Sequence, residues 1–296
     1  MKISSKNIKG ILFLFTSAFL YSLMPVMMRT LGSEGVPPMS QVFLRYIFAF
    51  VAAAIYLFIF NKEKIKIEKK DMLLFAVATV FCYSLTNLFL TYGILFTQIS
   101  NALFLFYSNA IITPVLGYFI LKEKINNRKI AALILSLIAL VLLFQPNSFP
   151  TWKIGGIFAL LAALGQSLYI IIRKILKKYS IGIMMILNTL VGVIVLGLMA
   201  LIFESSFYVK GSLFTLSTNT WLLTIFFGFD NFLAWFFMIK GFELFEATVG
   251  SVILLSELVF GVLLAILFFK ETPTLITIIG GSLILISSLL IILKKE

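Results

Sequence analysis

Residues 247–271 read ATVGSVILLSELVFGVLLAILFFKE, an apolar run that holds one internal carboxylate, Glu257, and closes on Lys270-Glu271. Its length suits a helix rising about 1.5 Å per residue across about 30 Å of hydrocarbon. Residues 99–123, ISNALFLFYSNAIITPVLGYFILKE, follow the same course 148 positions earlier. Lys122-Glu123 aligns with Lys270-Glu271, Ser108-Asn109 with Ser256-Glu257, and, just upstream, Tyr92-Gly93 with Lys240-Gly241. At an offset of 145 the first apolar run finds its own partner, Gly10 matching Gly155, Phe13 matching Phe158, Ala18 matching Ala163 and Ser22 matching Ser167. The chain therefore reads as two related halves, residues 1–148 and 149–296.

The rest of the sequence is of the same kind. Hydrophobic residues make up 61% and charged residues 12%, whereas a soluble domain carries about 25% charged residues. So little polar surface cannot cover a water-soluble globule. The apolar blocks lack the strict in-out alternation of a transmembrane β-strand, which leaves a helical bundle. The chain contains no histidine, so the usual His-containing zinc sites and Ser-His or Cys-His nucleophiles cannot be built. No catalytic residue, metal or cofactor is implied, and an intramembrane enzyme has nothing to work with. The lone Cys82 has no partner for an intrachain disulfide.

Spans are expected near residues 10–28, 40–60, 72–92, 98–120, 129–145, 153–173, 181–203, 219–241, 246–269 and 274–293. Pro37-Pro38 precedes the second, Gln145-Pro146-Asn147 ends the fifth, and Thr272-Pro273 opens the tenth with an N-cap and a first-turn proline. Lys2, Lys6 and Lys9 ahead of the first run imitate a signal peptide, but the run is long and lacks an A-x-A site, so it is read as a span. With the N-terminus cytoplasmic, the tail and the inner loops hold all the Lys and Arg except Arg29, Lys153, Lys210 and Lys270 outside and Arg45 within a span. That asymmetry follows the positive-inside rule and puts both termini in the cytoplasm. It also accounts for the net charge of +12 as a face turned to anionic membrane lipid, with no nucleic acid involved.

Five spans per half is an odd number, so the second half enters the membrane upside down relative to the first. The expected fold is an all-α membrane protein of ten transmembrane helices in two inverted five-helix repeats. Such a pair packs in two ways of similar energy, open to opposite sides, with the binding site near the midplane between repeats. At this point the chain resembles, over essentially its whole length, the EamA family of the drug/metabolite transporter superfamily. The resemblance lies in the end of each half, an apolar helix, a short turn bearing Glu123 or Glu271 and a final helix, with Gly280-Gly281 in the second copy. Ser256-Glu257-Leu258-Val259-Phe260 is similar to a Glu-Pro-Val-Phe run common in that family, with Leu258 in place of the proline. The resemblance implies a central cavity lined by spans one to four and six to nine, with the fifth and tenth peripheral. It names no substrate, since the family covers amino-acid exporters, other metabolite carriers and drug efflux proteins.

Ionisable side chains inside spans are costly and tend to face the bundle interior or water. Three occur here: Arg45, Asp230 and Glu257. Gly250, Leu254, Glu257 and Gly261 recur at three- and four-residue spacing, so small residues share a helix face with the carboxylate. Glu257 is expected to bind an amino or cationic group, or a coupling proton; a neutral acid bonded to a neighbouring helix is the structural alternative. Asp230 groups with Asn231 and Trp235, and pairing with Arg45 to specify packing is its alternative. Arg45 is placed to hold a substrate carboxylate, to tie an outer gate or to snorkel to headgroups. Asn109, the repeat mate of Glu257, Tyr107 beside it, Gln166 and Tyr83 complete the polar shell. Asn87, Tyr169 and Asn188 are read as helix-to-helix hydrogen bonds, and Pro25 as a kink.

The function expected is alternating-access transport of a small amphipathic or zwitterionic metabolite across the plasma membrane, amino acids being one class and export the direction the resemblance implies. Partners are the substrate, lipid and, if transport is coupled, protons. Efflux of lipophilic cationic drugs is the alternative within transport, and a receptor or assembly protein the alternative outside it. Gly280-Gly281 with Ser287 and Ser288 offers a close-packing face to a second protomer, or equally to a helix of the same bundle.

Overall fold

The computed structural model describes residues 5–62, 64–97, 99–144, 154–209, 213–269 and 275–292. Among these residues every regular element is helical. In chain order they are α1 (Ser5–Ser33), α2 (Pro38–Phe60), α3 (Lys69–Phe96), α4 (Ile99–Phe106), α5 (Asn109–Leu121), α6 (Asn127–Phe144), α7 (Ile154–Ile175), α8 (Ile181–Phe203), α9 (Ser205–Val209), α10 (Thr218–Leu244), α11 (Ala247–Leu254), α12 (Ser256–Phe269) and α13 (Leu275–Ile292). Helices α1, α2, α3, α7, α8 and α10 are each long and apolar enough to cross a membrane. Shorter apolar stretches lie in α5, α11–α12 and α13. Lys2, Gln145-Pro146-Asn147, Lys153, Lys210, Lys270-Glu271 and Thr272-Pro273 lie outside the described residues.

The two runs quoted first each divide, after Phe106 and after Leu254, positions 148 residues apart; the first break takes two residues and the second one. Within them Ser108 has φ −57° and ψ −17°, and Leu255 has φ −59° and ψ −15°, values nearer the tighter 3₁₀ winding than the α-helix. The Ala110 amide donates to the Tyr107 carbonyl at 3.0 Å, and 148 residues on the Leu258 amide donates to the Leu255 carbonyl at 3.0 Å. Neither break rests on proline, which fixes φ and removes an amide: Pro114 lies well inside α5. Pro25 likewise sits inside the unbroken α1.

Helix α1 packs along α10 and α3 along α7; α2 lies against α8 and α6 against α13, while α12 meets α1 as α5 meets α7. Lipid tails are as apolar as leucine, so helices associate through close approach and polar bonds. A Cβ added at Gly228 on α10 would stand 2.5 Å from the Arg45 carbonyl and 3.2 Å from the Ala49 amide of α2. Ser136 of α6 donates to Ser287 of α13 at 3.1 Å, and Ser288 donates to the Val252 carbonyl at 3.3 Å. Ser287 and Ser288 thus bond within the chain, where Gly280 is also buried and Gly281 half-buried. The outward surface is apolar, with Phe60, Phe119 and Phe203 among its most exposed large side chains.

One end contact occurs twice. Arg29 Nη2 donates to the carbonyls of Ile94 (2.7 Å) and Thr97 (2.9 Å) at the end of α3. Lys174 Nζ donates to those of Phe242 (3.3 Å) and Phe245 (2.6 Å) at the end of α10. Each cation satisfies carbonyls that a helix terminus leaves unpaired, and the second set is the first shifted by 145 and 148 residues. At the end of the bundle where α1 begins, the Glu123 carboxylate accepts from the Ala247 amide at 2.8 Å and the Thr248 hydroxyl at 3.1 Å, capping α11. Lys129 pairs with Glu246, and Arg173 with Glu243 at 2.5 Å. These contacts tie α6, α7, α10 and α11 together at that end.

The turn after α7 is tied to the connection before α3. Lys178 Nζ lies 2.5 Å from Glu68 Oε1 and 2.7 Å from Asp71 Oδ2, and the Tyr179 hydroxyl donates to Asp71 at 2.6 Å. Lys178, and after it Lys70, holds the Glu68 carboxyl below its ordinary value. A depressed carboxyl contributes its stability above the unfolded pKa, about 4.3 for Glu, and loses it as pH falls through the folded value. Proteolysis of the 64–68 connection is accordingly expected to quicken on acidification. In Lys178→Met it should already be fast at neutral pH, with little further response to acid.

Candidate functional site

A cleft enclosing about 650 Å³, counting the part open to solvent, runs between α1, α3, α7, α10 and the two broken helices. Tyr21, Met24, Pro25 and Met28 recur at three- and four-residue spacing along one face of α1, and all four line it. Helix α3 adds Asn87 and Leu90, the first break adds Phe106, Tyr107 and Asn109, and the second adds Leu254, Leu255 and Glu257. Gln166 of α7 and Trp235 of α10 close the wall. Among these lining residues only Glu257 carries a formal charge.

The breaks explain how a carboxylate comes to lie there. Glu257 stands in the first turn of α12, immediately beyond the break, where the positive end of the helix dipole favours negative charge. Tyr107, at the other break, hydrogen-bonds its carboxyl across the cleft. Glu257 is 8% exposed, so a cation meeting it in this poorly screened setting is held more strongly than in water. Gln166 Nε2 and the Tyr21 hydroxyl converge on Met238 Sδ at 3.3 and 3.4 Å, which fixes two lining side chains through one thioether.

Behind the Asn87 and Trp235 wall lies a second polar group. The Arg45 guanidinium is fully buried, with its centre 4.5 Å from the Phe227 ring centroid. Its Nη2 donates to Asn87 Oδ1 at 3.0 Å, while Nε and Nη1 have no hydrogen-bond partner among the described residues. Among the described residues neither oxygen of the Asp230 carboxylate has a hydrogen-bond partner, nor does Asn231 Nδ2 or Trp235 Nε1. The Tyr83 hydroxyl donates to Asn231 Oδ1 at 3.2 Å, and the Tyr83 ring lies 4.4 Å from that of Trp235. Helix α3 winds more widely, in π-helical turns, over residues 77–85, a feature frequent at functional sites. That stretch ends two residues before Asn87, whose Nδ2 bonds back to the Tyr83 carbonyl at 3.0 Å.

Of the side chains singled out from sequence, Glu257, Tyr107, Asn109, Gln166 and Trp235 line the cleft, whereas Arg45, Asp230, Asn231 and Tyr83 form the group behind it. Arg45 does not snorkel outward, and no hydrogen bond joins it to Asp230. Asn188, read as a helix contact, donates to the Tyr169 hydroxyl at 2.5 Å. Sequence reasoning missed the α1 stripe, whose three- and four-residue spacing around Pro25 was the available signal, and it underrated Asn87.

Comparison with known proteins places these features. The profile of the EamA-like transporter family matches residues 8–145 and 153–293. An uncharacterized transporter of Clostridium kluyveri is 28% identical over 95% of this chain and 92% of its own length. A protein of Rickettsia prowazekii named S-adenosylmethionine uptake transporter is 23% identical over 98% of this chain and 94% of its own. A solved crystal structure shares the fold at a TM-score of 0.77 and 15% identity, covering 98% of this chain and 96% of that one.

Proposed function

We propose that this chain, which belongs to the EamA-like transporter family, is a secondary transporter that moves a small amphipathic or zwitterionic metabolite by alternating access. The observation that carries the substrate reading is the cleft itself: apolar walls of Met, Leu and Phe around one carboxylate, Glu257, with Arg45 a single side chain away behind Asn87. An amino or other cationic group bonds Glu257, the apolar body lies along Met24, Met28 and Leu90, and a substrate carboxylate reaches toward Arg45.

Ten spans in two inverted halves, 1–148 and 149–296, supply the alternation. The matching breaks at Tyr107-Ser108 and Leu255, the matching end clamps of Arg29 and Lys174, and the reciprocal packing of α1 on α10 and α7 on α3 support that reading. Both termini lie on the cytoplasmic side of the plasma membrane, supported by the lysine-rich connections at the end where α1 begins. Rickettsial relatives are named for uptake, whereas resemblance to exporters points the other way, so the assay must read both directions.

A second reading has its own support. Glu257 is the sole formal charge among the residues lining the cleft, which suits a lipophilic cation with no carboxylate. Proteoliposomes offered amino acids, S-adenosylmethionine and a cationic dye distinguish the two. Zwitterion flux above protein-free leakage is expected, dye flux alone would favour the second reading, and no flux of any solute would sink both.

A further inference from the structure

Resting on the transporter reading, we infer that Asn87 sets charge selectivity by masking Arg45 from the cleft, so that a substrate must carry a carboxylate able to displace the Asn87 amide oxygen before it reaches the guanidinium. Asn87 lines the cleft, and its Oδ1 occupies Arg45 Nη2 at 3.0 Å, while Nδ2 is anchored on the Tyr83 carbonyl at 3.0 Å. The side chain is therefore held by a bond at each end of its amide, with the guanidinium on its far side.

Three features make the mask removable. Arg45 Nε and Nη1 are buried without hydrogen-bond partners, so releasing Nη2 presents a fork of adjacent donors matched to a carboxylate. A carboxylate can meet the guanidinium as a bidentate ion pair, with two parallel bonds and opposite charges, where the Asn87 amide oxygen offers one bond and no charge. The stacked Phe227 ring keeps the guanidinium in place when Asn87 lets go. An amine without a carboxylate has no means of displacing the amide and meets only Glu257. Glu257, the one formal charge on the cleft wall, attracts an ammonium and repels a free anion, which leaves a zwitterion as the preferred carboxylate bearer.

The experiment uses the full-length chain in liposomes and three probes with one apolar body: phenylethylamine, phenylalanine and 3-phenylpropionate. Wild-type exchange of at least one probe establishes that the transporter reading holds for this assay, and if none is exchanged it is that reading that fails. Asn87→Ala unmasks Arg45 and is expected to raise phenylalanine and phenylpropionate exchange relative to phenylethylamine by about 5- to 10-fold. Asn87→Asp, nearly isosteric though without the donor to the Tyr83 carbonyl, places a fixed carboxylate on Arg45 and is expected to shift the ratio by a similar factor toward the amine. Ratios unchanged in both variants, or shifted the same way in both, overturn the inference while leaving transport intact. Should Asn87→Ala fail to fold, the sign of the Asn87→Asp shift decides alone.

Discussion

Glu257→Gln is expected to reduce exchange of an amine-bearing substrate by at least about 10-fold, the cost of losing a hydrogen bond to a charged group in a poorly screened site. Glutamine keeps the shape and can still bond the Tyr107 hydroxyl, so the break in each helix should survive. Replacing a buried ionisable group by a neutral isostere need not destabilise a fold, and the melting temperature in detergent is expected to move by no more than about 2 °C. That pairing separates the binding role from the structural one. If Glu257 were a packing acid, melting would fall and exchange would fall only in step with the folded fraction. The outcome matters for the second reading too, because a lipophilic cation depends on Glu257 alone, whereas a zwitterion retains its hold on Arg45 and loses less.

Gly228→Val should have the largest effect on stability. The new Cβ would stand 2.5 Å from the Arg45 carbonyl oxygen and 2.5 Å from Phe48 Cβ, and a backbone carbonyl within a helix cannot swing aside as a side-chain tip can. Helices α2 and α10 must separate, a kind of overpacking that costs roughly 1–3 kcal/mol or more, read as a fall in melting temperature of about 5 °C or more. Arg45 moves with its own carbonyl, so carboxylate recognition should weaken in whatever protein remains folded. Gly261→Ala is the control, since a Cβ there meets nothing within 4 Å among the described residues. A Gly228→Val protein that melts like wild type would mean that α2 and α10 are not held at this distance.

Much of the fold could be read because the membrane imposes it: apolar blocks of spanning length and the 148-residue correspondence of the two quoted runs both stand in the residues. Glu257 was legible for the same reason, as a carboxylate isolated in hydrocarbon-length sequence. The breaks were not. They fall at Tyr107-Ser108 and Leu255, where neither glycine nor proline marks the chain, and they arise from a local tightening that many sequences tolerate. Asn87 and Arg45 show a different limit. Depth in a span follows from counting, but which way α3 turns its side chains depends on the π-helical stretch over residues 77–85, which changes the register of every residue after it. The α1 stripe was visible as spacing, yet spacing alone does not tell a cleft wall from a packing face. For Arg45 the sequence leaves a substrate carboxylate, an outer gate and a snorkelling reach all open, and the ring of Phe227 with the amide of Asn87 holds it inward.

Counterflow tests the central claim most directly: liposomes holding the wild-type chain are loaded with excess unlabelled phenylalanine, diluted into a trace of labelled phenylalanine, and followed with and without a proton gradient. A carrier that exposes one site alternately to each side gives transient accumulation of label above its external concentration, and that overshoot is the result expected here. Label that only equilibrates, at a rate indifferent to the trapped solute, would contradict alternating access through this cleft.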